Sequence, residues 1–174
     1  SLSSLKNCIN NDLANNYGNL CQRVFSFIEN NYSSKIPFSD ELENKDELLI
    51  NSIKNNVSKL IELMDNQNLN EYIKVVVDYS FAANKYFNDN KPWSIKKTDK
   101  KRADAIIFTI VEHIKNISIL LTPIIPIASN KVLDILKINH EKRNLKAITD
   151  KNILDHDTEI LKSTILFKKI DDNN

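Results

Sequence analysis

Glycine occurs once in the 174 residues, at Gly18, and proline only four times. Hairpins and tight turns are built on these two residues, so a fold of many short strands is excluded. Cysteine is nearly as scarce: Cys8 and Cys21 sit on one expected helix. Their separation along it is about 20 Å, too far to pair, and a reduced intracellular setting is the simpler reading. No apolar run reaches the roughly 18 residues of a membrane span, and no basic-then-apolar leader opens the chain, so a soluble protein is expected. Neither sign of charge dominates, with 24 Lys and Arg against 23 Asp and Glu, a net charge of +1. An anionic partner must therefore be met by a local patch. The first residue is Ser1 where an intact chain would carry Met, which fits a portion of something longer.

What is present is an apolar complement of 41% in a length suited to one sizeable core, so a single all-α domain spanning 1–174 is expected. Apolar residues recurring every three or four positions divide it into about five helices, packed as an antiparallel bundle. The first runs from about Ser3 to Asn31 with Ile9, Leu13, Leu20, Val24, Phe27 and Ile28 on one face. The second carries Leu49, Ile53, Val57, Leu60, Ile61 and Met64. The third opens at "NLNE", where Asn68 and Glu71 have the spacing of a capping box, and Pro92 stops it. The fourth, about Asp99 to Leu121, is apolar on so wide an arc that it belongs at the centre. "TPIIPIASNKVLDILKI" makes a short fifth helix with a proline in its first turn. Beyond Asn139 the pattern weakens, and 139–174 reads as a docking tail whose "STILFKKID" is extended.

The first helix poses a question. Its interior holds the lone glycine, which costs about 0.5–1 kcal/mol relative to alanine. Ala14, Gly18, Cys21 and Phe25 form a strip beside the core face, and small residues at that spacing let a second helix come close. On that reading Gly18→Leu overpacks the contact. A polar strip of Asp12, Asn16, Asn19 and Arg23 stays open on the other side, its side chains fixed by a well-held backbone. The plain alternative is that Asn19 and Arg23 solvate an exposed face. "NKPWSIKK" likewise reads two ways. Trp93, held by Pro92 and followed by the basic run "KKTDKKR", is either a core anchor or a stacking plane for an unpaired base. His113, in the middle of the fourth helix, reads as a core histidine, while His140 and His156 have no metal spacing. No glycine-rich phosphate loop, HExxH or serine-nucleophile motif occurs.

Four segments together resemble the C-terminal anticodon-binding domain of methionyl-tRNA synthetases. "NNDLANNYGNLCQRVFSFI" is similar to the family's Asn-Ala-Asp-Leu-Ala-Asn-x-x-Gly-Asn-Leu-x-x-Arg signature, and "YFNDNKPWSIKK" resembles its Pro-Trp motif. "ISILLTPIIPIASNKVLDIL" resembles its Leu-x-Pro-x-x-Pro segment, and "ILFKKID" its closing Leu-Phe-Pro-Arg-Ile, with Lys168 and Lys169 in place of Pro-Arg. Nearly the whole chain is covered, in order.

The resemblance implies that Asn19 and Arg23 recognise the anticodon, chiefly its first base, a cytosine, and that Trp93 stacks on it with Pro92 shaping the turn. Asn88, five residues before Trp93, is implicated more weakly as a polar neighbour. The family's HIGH-like and KMSKS motifs are absent, so no catalytic residue, metal site or cofactor is expected in these residues, and alone they should be inactive. The parent protein would use ATP and Mg²⁺ to join methionine to its tRNA in the cytoplasm. The implied partners are the tRNA(Met) anticodon and the protein's own catalytic domain, with no membrane and no DNA. Two rivals are the equivalent domain of another class I synthetase (Leu, Ile, Val or Cys) and a helical interaction bundle with no RNA role.

Overall fold

The computed structural model describes residues 13–150 and 158–162. Seven helices occur among them: α1 (Asn15–Asn31), α2 (Asn44–Lys54), α3 (Val57–Asp65), α4 (Leu69–Asn90), the single turn α5 (Pro92–Ile95), α6 (Lys100–Leu121) and α7 (Pro126–Ile135). Two 3-10 turns, His140–Lys142 and Leu145–Thr149, follow. The all-α expectation holds, and the expected second helix proves to be two. Its apolar stripe continues, but the Asn55–Asn56 pair breaks the backbone ladder between α2 and α3, as residues whose side chains compete for backbone hydrogen bonds tend to do.

The helix starts also differ from expectation in one place. Asn68 makes no side-chain cap at α4. The capping box lies instead at α2, where the Glu43 side chain takes the Asp46 backbone N–H and the Asp46 carboxylate takes that of Glu43. Asp99 caps α6 by accepting from the Arg102 backbone N–H, and Pro126 occupies the first turn of α7, where its missing N–H costs nothing.

α6 is the axis of the bundle. From Ala103 to Leu121 nearly every residue is buried, including Glu112, His113, Lys115 and Asn116. The charged pair is matched internally, Lys115 Nζ lying 2.7 Å from Glu112 Oε2. Side-chain pairs fix how α1 and α4 lie against it. Tyr72 donates to the Leu120 carbonyl (2.6 Å) and the Tyr79 ring meets His113 edge-on, so α4 and α6 run antiparallel. Asn16 is bonded to Ser80 and Asn84, and Arg23 to Asn88, so α1 and α4 run parallel to each other. The Tyr17 hydroxyl meets Ser118 Oγ at 2.5 Å and ties α1 to the same axis.

Because α1 touches both long helices, its buried arc is wider than the sequence stripe suggested: Tyr17, Cys21 and Phe25 are buried beside Leu20, Val24 and Ile28. Phe27, expected in the core, is only partly buried. The close helix approach expected over Gly18 is not found: a Cβ there would meet no described atom within 4 Å. Ile9, Asp12 and Cys8 lie outside the described residues, as do His156 and "ILFKKID".

A buried ion pair locks α2 to α6. Arg102 grips Asp46 with both guanidinium nitrogens, at 2.6 and 2.9 Å, and the Tyr86 hydroxyl adds a third bond at 2.5 Å. Burial alone would raise the Asp46 carboxyl, but the bonds from Arg102 and Tyr86 outweigh it and hold the group below the usual carboxylate range. Residues 158–160 dock on the loop after α1: Ile36 N–H donates to the Thr158 carbonyl and Ile160 N–H to that of Ser34, at 3.0 and 2.8 Å. Ile160 reaches the core.

Candidate nucleic-acid interface

The site grows from the parallel pairing of α1 and α4. Their adjacent polar residues end at a turn, where Lys91 adopts a left-handed conformation (φ 46°). That single residue closes α4, donating to the Phe87 carbonyl, and opens α5, its own carbonyl accepting from Ser94 and Ile95. Pro92 fills the first position of α5 and is buried, where its fixed φ suits a helix start. The reversal leaves Trp93 on the surface, 41% exposed, with its ring edge-to-face on Phe87 at 5.4 Å. The reading of Trp93 as a core anchor is therefore set aside.

Arg23 reaches the same ring from α1. Its guanidinium carbon lies 5.1 Å from the Phe87 centroid, a cation–π arrangement, and Nη2 donates to Asn88 Oδ1 at 2.7 Å. Arg23, Phe27, Asn30, Asn31, Phe87 and Trp93 enclose an open cavity of about 380 Å³. It offers a fixed fork of N–H donors, two Asn amides and an aromatic face. That combination can stack a planar ring and address the donors and acceptors on its edge.

Positive charge gathers on one rim. Lys96 donates to the Asn31 carbonyl (2.8 Å), and the Lys96 and Lys100 ammonium groups lie 5.1 and 5.7 Å from the Tyr32 ring centroid. Among the described residues no group of three His, Cys, Asp or Glu is placed to hold a metal. Cys21 is buried, which pushes its thiol up out of the reactive range. No helix among them is long and apolar enough to cross a membrane.

Of the five residues singled out by sequence, Arg23 and Trp93 line the cavity, Asn88 holds Arg23, and Pro92 sits beneath Trp93. Asn19 is exposed one turn from Arg23 and outside the lining. Sequence reasoning missed Phe27, Phe87, Asn30 and Asn31. The two phenylalanines fit the core stripes, and only Phe87's position six residues before Trp93, at a helix end, could have marked it out. The two asparagines stand at the very end of the expected first helix, where no motif marked them.

Residues 36–174 match the family described as the anticodon binding domain of methionyl tRNA ligase. The chain belongs to that family. The methionine–tRNA ligase of Rickettsia conorii is 33% identical over 172 residues, 97% of this chain and 34% of that protein. That of Pyrococcus abyssi is 30% identical over 173 residues, 99% of this chain and 23% of the relative. Among solved structures, Mycobacterium tuberculosis methionyl-tRNA synthetase in complex with methionyl-adenylate superposes with a TM-score of 0.85 at 25% identity, covering 95% of this chain and 33% of that one. The chain thus spans about a quarter to a third of the length of these relatives. As an anticodon-binding domain of methionyl-tRNA ligase, it is neither the equivalent domain of another class I synthetase nor a bundle without an RNA role. The family segment starts at residue 36, after α1, so Asn19 and Arg23 rest on the longer similarity to the ligases.

Proposed function

We propose that this domain selects tRNA(Met) for a cytoplasmic methionine–tRNA ligase by capturing the first anticodon base, a cytosine, in the cavity beside Trp93. The observation that carries this reading is the Arg23–Asn88 hydrogen bond laid across Phe87, next to the half-exposed Trp93. A splayed-out cytosine presents one amino donor and two acceptors on its Watson–Crick edge. Arg23 supplies a fork of N–H donors, and Asn19, exposed on the same side of α1, supplies an amide with both a donor and an acceptor. Asn88 is a positioning residue: by accepting one guanidinium N–H it fixes the orientation of the others. Trp93 supplies the stacking face, worth about 1–3 kcal/mol per base. Lys96 and Lys100, at the rim beside Tyr32, supply positive charge toward the phosphates.

The remainder of the parent protein, joined to this domain, would carry the ATP- and Mg²⁺-dependent joining of methionine to the tRNA, since none of that machinery is legible here. Binding of the chain to a tRNA(Met) anticodon hairpin, with cytosine or another base first, tests the reading. Affinity should be higher for cytosine, fall as salt rises, and drop for Trp93→Ala on every hairpin. Equal affinity for all first bases would overturn it.

A further inference from the structure

The groove between α1 and α4 does not end at Arg23. One turn back, Asn19 is exposed with no partner among the described residues. A further turn back, Asn16 Oδ1 accepts from both Ser80 Oγ (2.8 Å) and Asn84 Nδ2. These bonds leave the Asn16 Nδ2 donor and the Asn84 Oδ1 acceptor, on facing helices, without a partner among the described residues, and both residues are only half-buried. On the outer edge of the same groove lies Phe81, 48% exposed. It is seven residues before Asn88, two helical turns, so the two side chains leave α4 within about 20° of each other and about 10 Å apart. Among α4's outward-facing residues Phe81 is the only aromatic, between Lys74, Asp78, Ala82 and Lys85.

We propose that Phe81, with the Asn16–Asn84 amide pair, forms a second nucleotide subsite that holds another unpaired base of the same loop. This rests on the reading of the Trp93 cavity as the first. Three features point to a base. Phe81 gives an exposed face on which any base can stack. The amide pair gives one donor and one acceptor, which complement the edge of a base and serve a protein partner no better than water does. Asn84 follows Phe81 by three residues on α4, which sets the amide pair beside the ring, and the nearby charges of Lys85 and Asp89 are already paired with each other.

The test uses the chain and a tRNA(Met) anticodon hairpin carrying 2-aminopurine in turn at each loop position after the first anticodon base. Phe81→Ala should weaken binding about 5- to 150-fold, leave the preference for cytosine at the first position unchanged, and release the quenching of 2-aminopurine at one later position. Phe81→Trp should restore both signals, and Phe81→Leu, apolar but not aromatic, should not. Wild-type affinity and quenching in Phe81→Ala, while Trp93→Ala is weakened, would overturn the second subsite and leave the first standing. If Trp93→Ala also binds as wild type, the reading of the cavity itself falls. Unchanged hairpin binding with a lowered melting temperature of the full-length protein would assign Phe81 to a contact within that protein instead.

Discussion

His113 gives the domain a pH dependence that can be worked out from its surroundings. The ring is fully buried on α6, its nitrogens have no hydrogen-bond partner among the described residues, and the Tyr79 ring stands edge-on at 6.4 Å. Burial therefore disfavours the imidazolium and lowers the pKa from 6.5 to about 4. In the unfolded chain the ring takes up a proton as pH drops below 6.5, while in the folded chain it does not until about 4. The unfolded state binds more protons in that window, so stability falls with falling pH there. At pH 5 the loss is about 2 kcal/mol, and across the whole window it is about 3 kcal/mol. For a domain of this size 2 kcal/mol corresponds to a drop of about 4–8 °C in melting temperature. Thermal melts followed by circular dichroism from pH 7.5 to 4.5 measure it, with His113→Leu as the control that cannot titrate. The wild type should lose stability below pH 6.5 and the variant should lose correspondingly less. Parallel curves would refute the argument, and so would a wild type as stable at pH 5 as at pH 7.

Gly18→Ala should raise stability by about 0.5–1 kcal/mol, because a Cβ meets no described atom and helix propensity improves; a lower urea midpoint would show a contact against that face. Asp46→Asn should destabilise by about 3–5 kcal/mol, since it leaves Arg102 without its buried counter-charge. A calorimetric scan should show the melting temperature fall sharply, and a shift under 2 °C would mean the pair is dispensable.

Much of this was legible in the sequence because helices announce themselves through spacing. The α6 pattern, apolar on nearly every side, marked the central helix, and the scarcity of glycine and proline excluded the alternatives. What was not legible depends on which helices become neighbours. Nothing in the run from Leu49 to Met64 says that Asn55–Asn56 breaks it, because asparagine is tolerated in helices and its preference for breaks is weak. Gly18 looked like a packing residue because small residues at that spacing usually are. Phe87 fitted a core stripe and does pack inward, yet its outer face also supports Arg23 and Trp93. That double role appears only once α1 lies parallel to α4. Arg23 and Trp93 were found because their motifs resemble those of a family, and periodicity alone would have left them as a solvated strip and an anchor.

The central claim is that Arg23 reads base identity while Trp93 supplies affinity. The direct test is kcat/KM for aminoacylation by the full-length ligase carrying this domain, on tRNA with cytosine or another base at the first anticodon position. Loss of a polar contact to a base leaves its acceptors unpaired at about 1–3 kcal/mol. Arg23→Ala should therefore lower the rate on the cytosine tRNA about 5- to 150-fold and shrink its advantage over the other base, whereas Trp93→Ala should lower both rates by a similar factor. If Arg23→Ala lowers both substrates equally, or leaves both unchanged, the guanidinium held by Asn88 does not read the base.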